Sequence, residues 1–200
     1  MNFPVIPATL PRRGNRATAW LAQAALTAFG WRVVGNFPPV AKLVAVLAPH
    51  TSNWDTVVGV GAKFALGIRV TFLAKDSLFR WPMGGLMRWV GAIPVDRTAP
   101  HGVVGEAVAD FAQHDKLVLA LAPEGTRRKG VPWREGFYHI ARGANVPIIP
   151  VTVDYRRRVL AIGPALWPTG DRENEVARLK AFCSGSVAGD EAPPVSAPPR

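Results

Sequence analysis

Short apolar runs and amphipathic stretches alternate along most of this chain. Residues 41–48 (Lys42 apart) and 117–122 are apolar runs of strand length, and 68–74, 92–95 and 147–154 also read as strands. Between them, apolar positions recur at helical spacing. That pattern predicts helices from about 53–55 to 66, over 103–114, over 136–143 and over 171–182. Residues 78–90 read as helical in places, interrupted by Pro82 and by Gly84-Gly85. Strands that alternate with helices, with no internal repeat, predict an α/β fold: a single domain with a largely parallel central sheet flanked by helices. The expected division is a basic lead-in and amphipathic helix over 1–35, the domain over 36–183, and a disordered tail over 184–200, rich in Pro, Ala, Ser and Gly.

The stretch 17–34 needs separate treatment. It is broken by Gln23, Thr27, Gly30 and Arg32, and so falls short of the roughly 18–20 apolar residues a spanning helix needs. Trp20, Leu21, Ala24, Ala25, Ala28 and Trp31 nevertheless recur at helical spacing behind Arg12, Arg13 and Arg16. Two readings fit: an N-terminal amphipathic helix lying in a membrane interface, or an ordinary helix packed on the domain. A secretory signal shares the basic flank, but no clean small-residue cleavage site follows.

Composition narrows the partners. With 48% hydrophobic residues in 200, the chain can fill a core and is not disordered as a whole. Its one cysteine, Cys183, excludes an intrachain disulfide and makes a cysteine-based metal site implausible; no metal or cofactor is expected. The net charge is +10, and 18 of the 24 cationic residues are arginine, whose forked donors suit phosphate. The partner is therefore anionic: nucleic acid, an anionic membrane surface or a phosphorylated small molecule. No helix-turn-helix pattern, aromatic RNA-binding block or zinc spacing supports nucleic acid.

Four segments hold candidate chemistry. His50 follows a buried-type strand, and Asp55 lies five residues on, in His50-Thr51-Ser52-Asn53-Trp54-Asp55. A carboxylate on one imidazole nitrogen fixes the tautomer and leaves the other to accept a proton. The alternative is that Asp55 caps a helix and His50 is a structural hydrogen-bonder. Ala122-Pro123-Glu124-Gly125-Thr126-Arg127-Arg128-Lys129-Gly130 sits at the carboxyl end of an apolar strand, where open α/β sheets bind ligands. It is not a P-loop, because Val131-Pro132 follows. Gly91-Ala92-Ile93-Pro94-Val95-Asp96-Arg97 brings Arg97 to the end of a short strand, and Val146-Pro147-Ile148-Ile149-Pro150-Val151 reads as a buried strand or the wall of a lipid pocket.

Taken in order, these segments resemble the glycerolipid acyltransferases, best known as 1-acylglycerol-3-phosphate (lysophosphatidate) acyltransferases. That family shows His-x4-Asp, a Gly-x-Ile-Pro-x-x-Arg-like block, Phe-Pro-Glu-Gly-Thr-Arg-Ser and Val-Pro-Ile-Ile-Pro-Val. The likeness covers roughly residues 40–155. Pro49 stands where many members have asparagine, Ala122 replaces phenylalanine, Arg128 replaces serine, and Arg134 stands near the place of a lysine. The resemblance implies a catalytic pair His50 and Asp55, and substrate-binding residues Arg97, Glu124, Gly125, Thr126, Arg127 and Arg134. It implies transfer of a fatty acyl group from acyl-CoA or acyl carrier protein to a lysolipid hydroxyl, with lysophosphatidate giving phosphatidate. Other acceptors, glycerol-3-phosphate or a non-phosphorus lysolipid, stay open. It also implies a peripheral or monotopic place on the cytoplasmic face of a membrane, with an anionic membrane surface as partner and no nucleic acid.

Overall fold

The computed structural model describes residues 3–50, 52–95, 102–125 and 131–185. Its elements, in chain order, are α1 (Arg16–Ala28), β1 (Arg32–Val34), β2 (Lys42–Leu47), α2 (Asn53–Ala65), β3 (Thr71–Lys75), a 3-10 turn (Asp76–Phe79), α3 (Gly84–Trp89) and β4 (Ala92–Val95). Then come α4 (Gly102–Gln113), β5 (Leu117–Leu121), α5 (Gly136–Gly143), β6 (Ile148–Asp154), β7 (Val159–Ile162) and α6 (Arg172–Ser184). The strands form one sheet in the order β1-β7-β6-β2-β5-β3-β4. From β6 to β4 every pairing is parallel, and β7 runs antiparallel to β6. β2 is thus the middle strand of seven. Its carboxyl end opens beside those of β5 and β6.

Side chains alternate across the sheet and divide the core in two. Leu43 and Ala45 of β2, Val118 of β5 and Ile149 of β6 pack under α1 and α2, with Leu26, Val58 and Ala62. Val44, Val46, Leu119 and Ile148 face the other way, onto α4, α5 and α6, with Phe111, Tyr138, Ile140, Val176 and Leu179. Both faces being covered explains why these strands read as continuous apolar runs. Tyr138 is fully buried, and its hydroxyl donates to Glu175 Oε2 at 2.6 Å, which ties α5 to α6.

The N-terminal third departs from expectation. Residues 3–15 are irregular, yet Ile6 and Leu10 are buried in the core and Arg12 bridges to Ile68, so this segment belongs to the packed domain. α1 begins with a reciprocal cap between Asn15 and Thr18. It packs on α2 through Leu26, which meets Gly61, and through Gln23, whose amide donates to the Ala65 carbonyl at 2.7 Å. Trp20, Leu21, Ala24, Ala25 and Ala28 stay exposed. β1 and β7, both unexpected, extend the sheet beyond β6. The tail beyond residue 185 lies outside the described residues.

Lys63 on α2 is buried and donates to the Val90 carbonyl. Burial, and then the charge of Arg13, lower its pKa from an ordinary 10.5 to about 8. Below pH 8 both folded and unfolded chains carry the proton and the burial cost is fully present. Between about pH 8 and 10.5 the unfolded chain holds more protons, so this lysine makes stability rise with pH in that window. Urea unfolding of wild type and Lys63→Met should therefore give a stability difference that moves toward wild type between pH 8 and pH 10. A difference that does not change with pH would contradict it.

Candidate active site

The site begins with how α2 starts. After β2 the chain passes through Ala48-Pro49 to His50, and α2 is capped by Ser52. Trp54 N–H donates to Ser52 Oγ at 3.1 Å, and Ser52 N–H donates to Asp55 Oδ2 at 2.7 Å. This is a capping box in which the acidic member is Asp55. A carboxylate in a first helical turn also meets the positive end of the helix dipole. Asp55 is only 1% exposed. Its Oδ2 stands 3.6 Å from His50 Nδ1, an ion-pair distance. Its Oδ1 accepts the Tyr155 hydroxyl at 2.5 Å. The helix-cap reading and the acid–base reading of Asp55 are therefore compatible: one oxygen serves the cap and faces the histidine.

Neighbouring strands supply the rest. Glu124, just past β5, is buried, and its Oε2 accepts the backbone N–H of His50 at 3.1 Å. So Glu124 reaches 74 residues back to hold the main chain that carries the histidine. Gly125 has φ +60, and a Cβ there would lie 3.4 Å from Arg134 Cδ and Nε. Glycine leaves that guanidinium stem room against the turn, and Arg134 N–H donates to the Pro123 carbonyl at 2.7 Å. Cys183 of α6 lies behind this turn; burial, and then the Glu124 charge, push its thiol up to about 12. On the other side of β2, Pro150 and Val151 pair with Val46 and Leu47. The chain leaving β6 then reaches Tyr155. Its ring meets Trp31 edge-on at 5.4 Å, and burial followed by the Asp55 hydrogen bond raises its pKa.

The four motifs thus do not converge equally. His50, Asp55, Glu124, Gly125 and Arg134 come together at the carboxyl ends of β2 and β5. The apolar Val-Pro-Ile-Ile-Pro-Val block is β6, adjacent to the histidine's own strand. The Gly-x-Ile-Pro block forms β4, the far edge of the sheet. Gly91, at φ +87, lets β4 start against β3, where a Cβ would strike the Val70 carbonyl oxygen at 2.5 Å. Arg97, Thr126 and Arg127 lie outside the described residues, as does Arg128. Trp54 and Val57, in the first turns of α2 beside Asp55, are large apolar side chains left exposed next to the site.

Two further residues complete the site, and each carries a signal in the sequence. Ser52 was legible, since Ser-x-x-Asp before an apolar stretch is a capping signature. Tyr155 carries a weaker signal: a residue with a hydroxyl immediately after a buried parallel strand, where such folds place their chemistry.

Comparison with known proteins places the chain in a family. Residues 32–154 match the Acyltransferase family, well over half of the chain. The chain belongs to that family. Among curated relatives, it is 32% identical over 133 residues to the 1-acyl-sn-glycerol-3-phosphate acyltransferase of Haemophilus influenzae, covering 62% of this chain and 54% of that one. It is 34% identical over 114 residues to the protein of the same name in Escherichia coli, covering 54% and 45%. The chain spans about half the length of the curated relatives it matches. The fold resembles the crystal structure of the 1-acyl-sn-glycerophosphate (LPA) acyltransferase PlsC from Thermotoga maritima, with TM-score 0.61, 19% identity, and coverage of 84% of this chain and 77% of that one.

Proposed function

We propose that this protein transfers a fatty acyl group from a thioester, acyl-CoA or acyl carrier protein, to the free hydroxyl of lysophosphatidate, yielding phosphatidate. The observation that carries the reading is the buried Asp55 carboxylate, held by Ser52 and Tyr155 and turned toward His50 at the end of the central strand. With Nδ1 directed at Asp55, His50 Nε2 takes the hydroxyl proton as that oxygen attacks the thioester carbonyl. The tetrahedral intermediate collapses, the C–S bond breaks, and the thiolate leaves with the proton from His50. Asp55 stabilises the imidazolium between these events. Direct attack needs no protein nucleophile, and burial, which pushes the Cys183 thiol up to about 12, disfavours that thiol as one. Arg97, Arg127 and Arg134 hold the acceptor phosphate in this reading, with Gly125 and Thr126 shaping the turn. Glu124 supports the same pocket by fixing the His50 main chain. Relatives named 1-acyl-sn-glycerol-3-phosphate acyltransferase favour this acceptor over glycerol-3-phosphate and neutral lysolipids. A panel of those acceptors with one labelled donor tests it: label should enter phosphatidate, and preferential labelling of another product would overturn the acceptor.

The same reading places the protein on the cytoplasmic face of a membrane as a peripheral or monotopic protein. No helix among the described residues is long and apolar enough to cross one. The exposed stripe of α1, with Trp20 and Leu21 at its centre, supports docking of this helix in the interface, and the basic flank of Arg12, Arg13 and Arg16 suits an anionic leaflet. Trp20→Ser with Leu21→Ser should lower sedimentation with anionic vesicles at least about tenfold, given the apolar area removed. Unchanged sedimentation would contradict docking through α1.

A further inference from the structure

Tyr155 lies outside all four motifs, yet its hydroxyl reaches the carboxylate on which the histidine depends. A carboxylate can turn about its Cβ–Cγ bond, and its angle decides how squarely an oxygen meets a nearby imidazole nitrogen and so how well it holds a proton there. Asp55 Oδ2 is held by the Ser52 N–H at 2.7 Å. Oδ1 is held by the Tyr155 hydroxyl at 2.5 Å. Two donors on different oxygens, one from α2's own cap and one from the end of β6, fix the plane of the group. We propose that Tyr155 is the positioning residue of this site: it locks Asp55 so that Oδ2 faces His50 Nδ1 and the histidine presents Nε2 to the reacting hydroxyl.

Tyr155 is itself well fixed for this role. It opens the turn between β6 and β7, where the Asp154 side chain accepts the N–H groups of Arg156 and Arg157 at 2.9 and 3.0 Å. β6 pairs directly with β2, so the turn is in register with the histidine's strand. The ring is braced edge-on by Trp31 at 5.4 Å and 85°. Burial and the Asp55 bond raise the phenol's pKa, so it stays a donor through neutral and mildly alkaline pH. This assignment deepens the acyl-transfer reading and rests on it for its effect on turnover, but its effect on the imidazole can be read separately.

The test uses Tyr155→Phe, which keeps the half-exposed ring against Trp31 and removes only the hydroxyl. In full-length protein labelled with 15N-histidine, His50 is identified among four histidines as the signal absent from His50→Ala. Wild type should show neutral His50 mainly as the Nδ1–H tautomer. Tyr155→Phe should shift it toward Nε2–H, and lower kcat about tenfold with KM little changed, the size of one charge-assisted hydrogen bond. A folded Tyr155→Phe protein that keeps the wild-type tautomer would overturn the proposal, whether kinetics are unchanged or only KM rises. If wild type transfers nothing to lysophosphatidate while Tyr155→Phe still moves the tautomer, the acyl-transfer reading fails and the positioning role stands.

Discussion

Asp55→Ala should both melt the protein early and stop its turnover. The carboxylate is buried and accepts from Ser52 and Tyr155, so alanine strands both donors and removes the acidic half of the α2 cap. A lost cap costs about 1 kcal/mol and a lost hydrogen bond to a charged group about 1.5–3 kcal/mol. Together they give about 2.5–4 kcal/mol, or a fall in Tm of about 5–15 °C for a domain of this size. Turnover should fall by up to about 10⁴-fold, because the imidazole loses the partner that sets its tautomer. Calorimetry and the transfer assay on the same sample check both halves. A normal melting temperature would show that the cap and Tyr155 contacts carry little; normal turnover would remove Asp55 from the mechanism. Asp55→Asn keeps an acceptor oxygen for one donor and should recover part of the stability without recovering rate.

His50→Ala separates the two effects. Alanine keeps the backbone N–H that position 50 donates to Glu124 and removes the imidazole that faces Asp55. The α2 cap and the Tyr155 bond to Asp55 stay in place, so stability should fall by about 1 kcal/mol, the centre of the range for single substitutions and less than for Asp55→Ala. The rate should fall by about 10²–10⁴-fold, the usual worth of a positioned general base. Unfolding by His50→Ala would mean the ring is structural, and full turnover would end its assignment as base.

The contrast between these variants shows what the sequence makes legible. His-x4-Asp is read easily as a turn into a helix, and the Ser52-x-x-Asp55 box explains the spacing: the acid at the third helical position is the residue that can reach back past the cap to the strand end. The apolar runs of β2, β5 and β6 are legible because helices cover both faces of the sheet, leaving no polar face to interrupt them. β1 is three residues long, too short for periodicity to mark, and β7 follows an arginine-rich turn that reads as loop. Residues 68–70 look like strand but act as a connection, with Ile68 buried and bridged to Arg12. Ile6 and Leu10 are hidden by the prolines and arginines around them. Tyr155 is the most instructive omission. Its place just after a buried strand marks it only weakly; its importance comes from β6 lying beside β2, a topological fact that no local pattern encodes. Glu124 is similar: it is plain as a motif residue, but its hold on the His50 main chain depends on β5 lying on the other side of β2.

Acyl transfer with His50 as base is tested by supplying lysophosphatidate on anionic vesicles with a labelled acyl group, from acyl-CoA and acyl carrier protein in turn, to wild type and to His50→Ala. Wild type should give labelled phosphatidate with at least one donor, and the variant should lose at least about a hundredfold. Folded wild type that makes no phosphatidate from either donor, or a variant that makes it as fast, would contradict that mechanism.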